Sequence, residues 1–102
     1  MITLSRIKTA TIRFMGVDVL FEYNVPTAEE FENEFRSPEA KNLKDSEVFK
    51  MFGRTVLSDG IEGWGSGIKP EEVVSLPGTY PLVSKAAMEI MQAAYLNDAE
   101  KN

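Results

Sequence analysis

Ala10-Thr11-Ile12-Arg13-Phe14-Met15-Gly16-Val17-Asp18-Val19-Leu20-Phe21-Glu22-Tyr23 alternates apolar and polar residues around a glycine. With Met15-Gly16 as a two-residue turn, Phe14 falls opposite Val17, and Ala10, Ile12, Phe14, Val17, Val19, Phe21 and Tyr23 share one face. The same register sets Arg13 across from Asp18, an opposite-charge pair worth about 0.2–1 kcal/mol beside a turn. Apolar pattern, glycine position and charge pair agree, so a β-hairpin over about 9–24 is expected, with one buried face and one wet face. A lone hairpin is marginally stable. Helices must therefore cover the Ile12/Phe14/Val19/Phe21 face.

Downstream of the hairpin, Pro26-Thr27-Ala28-Glu29-Glu30 places Thr27 at an N-cap with Glu30 three residues on, the capping-box arrangement. It opens a helix over about 28–36 with Ala28, Phe31 and Phe35 as a narrow apolar stripe. Ser37-Pro38 ends it, because a residue before proline is pushed out of helical geometry. The acids from Glu29 to Glu39 outnumber Arg36 and read as a solvated face. A second helix is expected over about 46–58, capped by Asp45 or Ser46, since Val48, Phe49, Phe52 and Val56 recur at helical spacing. Gly53 inside it costs about 1 kcal/mol against alanine. Residues 60–80, with Gly60, Gly63, Gly65 and Gly67 around Trp64 and with Pro70, Pro77-Gly78 downstream, read as one long loop. Loops of that length are functional or mobile.

The last helix, about 82–96, carries two apolar stripes. Val83, Ala87, Ile90 and Ala94 form one, and Met88, Met91 and Tyr95 the second, leaving Lys85, Glu89 and Gln92 as a polar strip. One stripe of about 100° covers a core. The second is either more core or a contact for another chain, to which methionine's unbranched side chain is suited. Trp64 is likewise either a core-edge anchor or a binding hot spot. Residues 97–102 are polar and expected to fray. The fold class is α+β: an N-terminal β-hairpin on about three helices, mainly helical, in a single domain spanning 1–102.

Composition narrows the chemistry. Lys and Arg number 11 against 16 Asp and Glu, a net charge of −5, with no His and no Cys. Disulfides, thiolate metal sites, cysteine nucleophiles and histidine acid–base work are all excluded. At 43 % hydrophobic, a chain of this length buries roughly 60–65 % of its unfolded surface and folds alone. The acidic balance speaks against nucleic acid, whose binders cluster cations on phosphates. The opening residues lack the apolar stretch of a signal peptide, and no run approaches the roughly 20 apolar residues of a membrane span, so a cytoplasmic location is expected. Asp59 with Glu62, and Glu71-Glu72 after Pro70, have no spacing peculiar to an enzyme. Gly63-Trp64-Gly65-Ser66-Gly67 lacks the lysine of a phosphate loop. No catalytic, cofactor or metal-binding residue is therefore assigned. Placed along the chain, Arg6, Lys8 and Arg13 make a basic strand arm and Glu29 to Glu39 an acidic helix, a distribution that favours head-to-tail self-contact.

The order of elements resembles the tail assembly chaperones of long-tailed bacteriophages and prophages. The likeness rests on the Pro-Thr-Ala-Glu-Glu-Phe helix start, on Ile61-Glu62-Gly63-Trp64-Gly65-Ser66-Gly67-Ile68, and on Leu76-Pro77 through Tyr80-Pro81-Leu82-Val83-Ser84. It spans about residues 10–96, and the Gly63-Trp64 region is its one sharp motif. The loop has extra glycines, and Gly78-Thr79-Tyr80 separates Pro77 from Pro81. The resemblance implies a non-catalytic protein of the bacterial host cytoplasm, absent from the mature virion. It would hold the tape measure protein, help recruit tail tube subunits and self-associate as a homo-oligomer, with Trp64, Met88, Met91 and Tyr95 as partner-binding candidates. A head–tail joining or completion protein and a small acidic inhibitor of a host protein are the alternatives.

Overall fold

The computed structural model describes residues 6–36, 43–57, 61, 64 and 67–100, with the side chains of all of these except 35, 36 and 95–100. β1 (Ile7–Phe14) and β2 (Val17–Asn24) form the hairpin in the register read from the sequence, Phe14 opposite Val17 and Arg13 opposite Asp18. Met15 at φ 53° and Gly16 at φ 79° make the turn, the left-handed pair that matches the twist of the flanking strands. Arg13 Nη1 donates to Asp18 Oδ1 at 3.0 Å. The ladder continues one pair further, where Val25 N–H donates to the Arg6 carbonyl at 2.7 Å.

Two expectations about the fold are corrected. The sheet is not a hairpin but three antiparallel strands in the order β1-β2-β3, with β3 (Gly53–Leu57) on the far side of β2. The molecule is not mainly helical, with 47 % helix and 30 % strand. The helix expected over 46–58 is α2 (Asp45–Phe52) followed at once by β3. Val48, Phe49, Phe52 and Val56 all reach the core, so their spacing imitates one helix although Val56 arrives from a strand. Gly53 marks the change: its φ −71°, ψ 145° is extended, and its N–H still donates to the Phe49 carbonyl. Arg54-Thr55-Val56-Leu57 then pairs with β2, with a bulge between Glu22 and Tyr23.

The expected loop over 60–80 also holds more structure. Ile68 makes an antiparallel bridge to Val56, with reciprocal backbone hydrogen bonds of 2.9 and 3.0 Å. α3 (Pro70–Val74) follows, with proline at the first helical position and the Glu72 carboxylate accepting from Lys69 N–H. Gly78 at φ 79° turns the chain into α4 (Tyr80–Glu100). Here Thr79, only 6 % exposed, donates its hydroxyl to the Val73 carbonyl at 2.7 Å while its own carbonyl accepts from Val83 N–H. α4 starts before 82 and runs helically beyond 96, since no Gly or Pro interrupts Asn97-Asp98-Ala99-Glu100.

α1 (Ala28–Phe31) runs into a wider π-helical turn, Glu32–Arg36. Its capping box is complete: Glu30 N–H donates to Thr27 Oγ1 at 3.1 Å, and Thr27 N–H donates to Glu30 Oε1 at 3.0 Å. α1 buries none of its side chains. It is held by its cap and by the Arg6–Glu30 ion pair, so the basic arm and the acidic helix meet within one chain. The core lies between the inner sheet face and α2 and α4. Phe21, Val19, Val56, Phe49, Leu82 and Ile90 are fully enclosed there.

Gly53 has no room for a side chain. A Cβ there would lie 2.5 Å from the Phe49 carbonyl oxygen and 2.9 Å from Pro70 Cγ. Gly53→Ala is therefore expected to lower unfolding stability by about 1–3 kcal/mol, measured by urea titration. The Thr27 backbone hydrogen bond, then Arg6, hold the Glu30 carboxyl below its ordinary value. A depressed carboxyl stabilises above its unfolded pKa and loses that contribution as pH falls through the folded one. The stability difference between Glu30→Gln and the wild type should thus be present at neutral pH and vanish on acidification below the ordinary glutamate range.

Candidate functional site

α4 presents Leu82, Val83, Ala86, Ala87, Ile90 and Ala94 to the core. These positions follow helical periodicity around one face. Met88 and Met91 project away from it, 53 % and 39 % exposed, so of the two readings left open for them the structure gives the uncovered one. The side chain of Tyr95 lies outside the described residues. Trp64 takes its other reading. It is 7 % exposed and stacks on Phe14 with ring centroids 6.2 Å apart, so its ring is a core element and offers no direct surface contact. Trp64 N–H donates to the Ile61 carbonyl and Gly67 N–H to the Trp64 carbonyl, both at 3.2 Å. Asp59 and Glu62 lie outside the described residues.

Beside Met88 the surface forms a groove of about 190 Å³ between α4 and β1, lined by Thr11, Arg13, Lys85, Met88, Glu89 and Gln92 among others. The polar strip read on α4 is one wall of this groove, and β1 is the other. Lys85 Nζ donates to the Arg13 carbonyl at 3.4 Å. Deeper on the same flank, burial pushes the Tyr23 phenol up, and the Glu89 carboxylate adds to the shift. Met91 does not line the groove and stands on the open side of the helix. Among the described residues, no three acidic side chains converge as a metal site, and no helix is long and apolar enough to cross a membrane.

Of the groove's lining, sequence reasoning singled out Met88 as a partner-binding residue but not Thr11 or Arg13, which join it because α4 lies along the outer strand of the sheet. The one available signal was the charge pattern of Lys85, Glu89 and Gln92, which reads equally as a solvated strip. Comparison with protein-family models, curated proteins and solved structures finds no match for the chain.

The packing of Trp64 has a direct readout. Its fluorescence should be blue-shifted in the native state and move to the red on unfolding. Trp64→Ala should cost about 3–5 kcal/mol through the cavity left against Phe14. An emission maximum already at the solvent-exposed position in the native protein would place the ring outside the core.

Proposed function

We propose that the chain acts by stoichiometric protein binding as a phage or prophage tail assembly chaperone, in the bacterial host cytoplasm and not in the finished particle. In this role it holds the helical, hydrophobic tape measure protein and helps bring tail tube subunits to it. The observation that supports the reading most is the uncovered apolar side of α4, where Met88 and Met91 stand clear of a core already satisfied by Leu82, Val83, Ala86, Ala87 and Ile90. A helix laid along that side meets flexible, polarizable side chains that repack around different apolar partners.

The test is co-expression with a phage tape measure protein, the long helical protein that this reading expects to be encoded beside the gene. The wild type should keep that protein soluble and co-purify with it. Met91→Glu should keep its native circular dichroism and bind at least about tenfold more weakly, about 1.4 kcal/mol. Undiminished binding by the folded variant, or retention of the chain in purified particles, would contradict the proposal; the second outcome fits a joining or completion protein.

A further inference from the structure

The sheet has two edges, and the fold treats them differently. β3 is closed on its outer side by the Val56–Ile68 bridge, while among the described residues no strand lies outside β1. In a hairpin with a two-residue turn, the residues flanking the turn exchange hydrogen bonds and alternate pairs follow. Phe14, Ile12, Ala10 and Lys8 therefore bond to β2, and the Val25–Arg6 hydrogen bond continues the same alternation. The N–H and C=O groups of Thr9, Thr11 and Arg13 point outward. The Arg13 carbonyl accepts from the flexible end of Lys85. β1 is eight residues long and contains no proline, and no bulge interrupts its pairing with β2, so of the usual devices that blunt an edge it carries only charged side chains, Lys8 and Arg13 near its two ends.

We infer that this open edge, with the α4 groove beside it, is the seam on which a second copy of the chain docks. The two β1 strands pair antiparallel about a dyad at Ala10 or Thr11 and make one six-stranded sheet. The sequence of β1 is self-complementary in this arrangement. Outward-pointing residues are the odd ones, so they pair odd with odd. Lys8 then faces Ile12 or Phe14, and with the dyad at Thr11 Arg13 faces Thr9; no like charges meet. The registers that set Lys8 against Arg13 are those that the alternation forbids. Thr9 and Thr11 face each other with Ala10 on the dyad, or Thr11 faces Thr11, pairs that suit a sheet surface. Beneath the seam the two α4 helices approach antiparallel around Met88. That brings Lys85 of one copy to the Glu89 and Gln92 side of the other, a charge complementarity built from one groove. A two-fold contact of this kind closes on itself, and the outer strands of the joined sheet are then the two β3 strands, each bridged by Ile68. Met91, which does not line the groove, stays available in the dimer, so the seam takes up Met88 and leaves the Met91 part of the proposed partner surface free.

Sedimentation velocity of the isolated chain over a concentration series tests the seam without any partner. The wild type should sediment as a dimer. Thr11→Pro removes an N–H that points outward, so it spares the β1–β2 ladder; it should give a folded monomer, or a dimer weakened at least about tenfold. Met88→Glu should do the same by placing two carboxylates at the dyad, and it decides the matter if Thr11→Pro fails to fold. A monomeric wild type would overturn the inference. So would a Thr11→Pro variant that dimerises as the wild type does, or, where that variant fails to fold, a Met88→Glu variant that does so. None of these results bears on binding through Met91.

Discussion

Phe21 is the side chain on which the rest of the molecule depends. It sits on the central strand and is fully buried, with its ring 5.2 Å from Tyr23 and 5.3 Å from Phe49. Through Phe49 it ties α2 to the sheet, and through its close approach to Gly53 it sets where α2 must end. A Cβ on Gly53 would lie 3.3 Å from the Phe21 ring. The chain leaves α2 at the one residue that can pass between Phe21, Phe49 and Pro70, and it leaves extended. β3 is therefore delivered to the open side of β2 with Val56 opposite Phe21. Removal of apolar surface around this cluster is the principal stabilising term, since its members are enclosed and its contacts lie at native packing distances.

That constraint explains which parts of the fold were legible in the sequence. The hairpin was, because strand period, turn glycine and the Arg13–Asp18 pair are all local. The capping box at Thr27 and Glu30 was legible for the same reason. β3 was not: Val48, Phe49, Phe52 and Val56 satisfy helical spacing, and the pairing that turns Arg54–Leu57 into a strand is with residues more than thirty positions away. Gly53 carried the signal, as a helix-interior glycine with a β-favouring stretch behind it. α3 was announced by Pro70-Glu71-Glu72 but obscured by the glycines before it.

The surface was legible in half. Helical periodicity alone separates the core stripe of α4 from Met88 and Met91, but it cannot say whether the surplus stripe meets more of the same core. Trp64 has the same ambiguity, resolved inward by Phe14. The groove depends on sheet order: Thr11 and Arg13 face it only because β1 is an outer strand, a fact that no periodicity contains. The basic arm and acidic helix meet through Arg6 and Glu30 inside one chain, which removes that pair from any contact between copies.

Among the described residues, β3 is bridged on its outer side by Ile68, no strand lies outside β1, and Met88 and Met91 of α4 stand exposed. The proposed working surface lies on the side of β1 and α4. Residue-resolved amide hydrogen exchange as a function of protein concentration addresses this claim most directly. The amides of Ala10, Ile12 and Phe14 should be protected at every concentration, and those of Thr9, Thr11 and Arg13 should become protected as concentration rises. Outward amides that exchange equally fast throughout the series, while their neighbours stay protected, would show that the edge takes no strand from a second copy and would contradict the account.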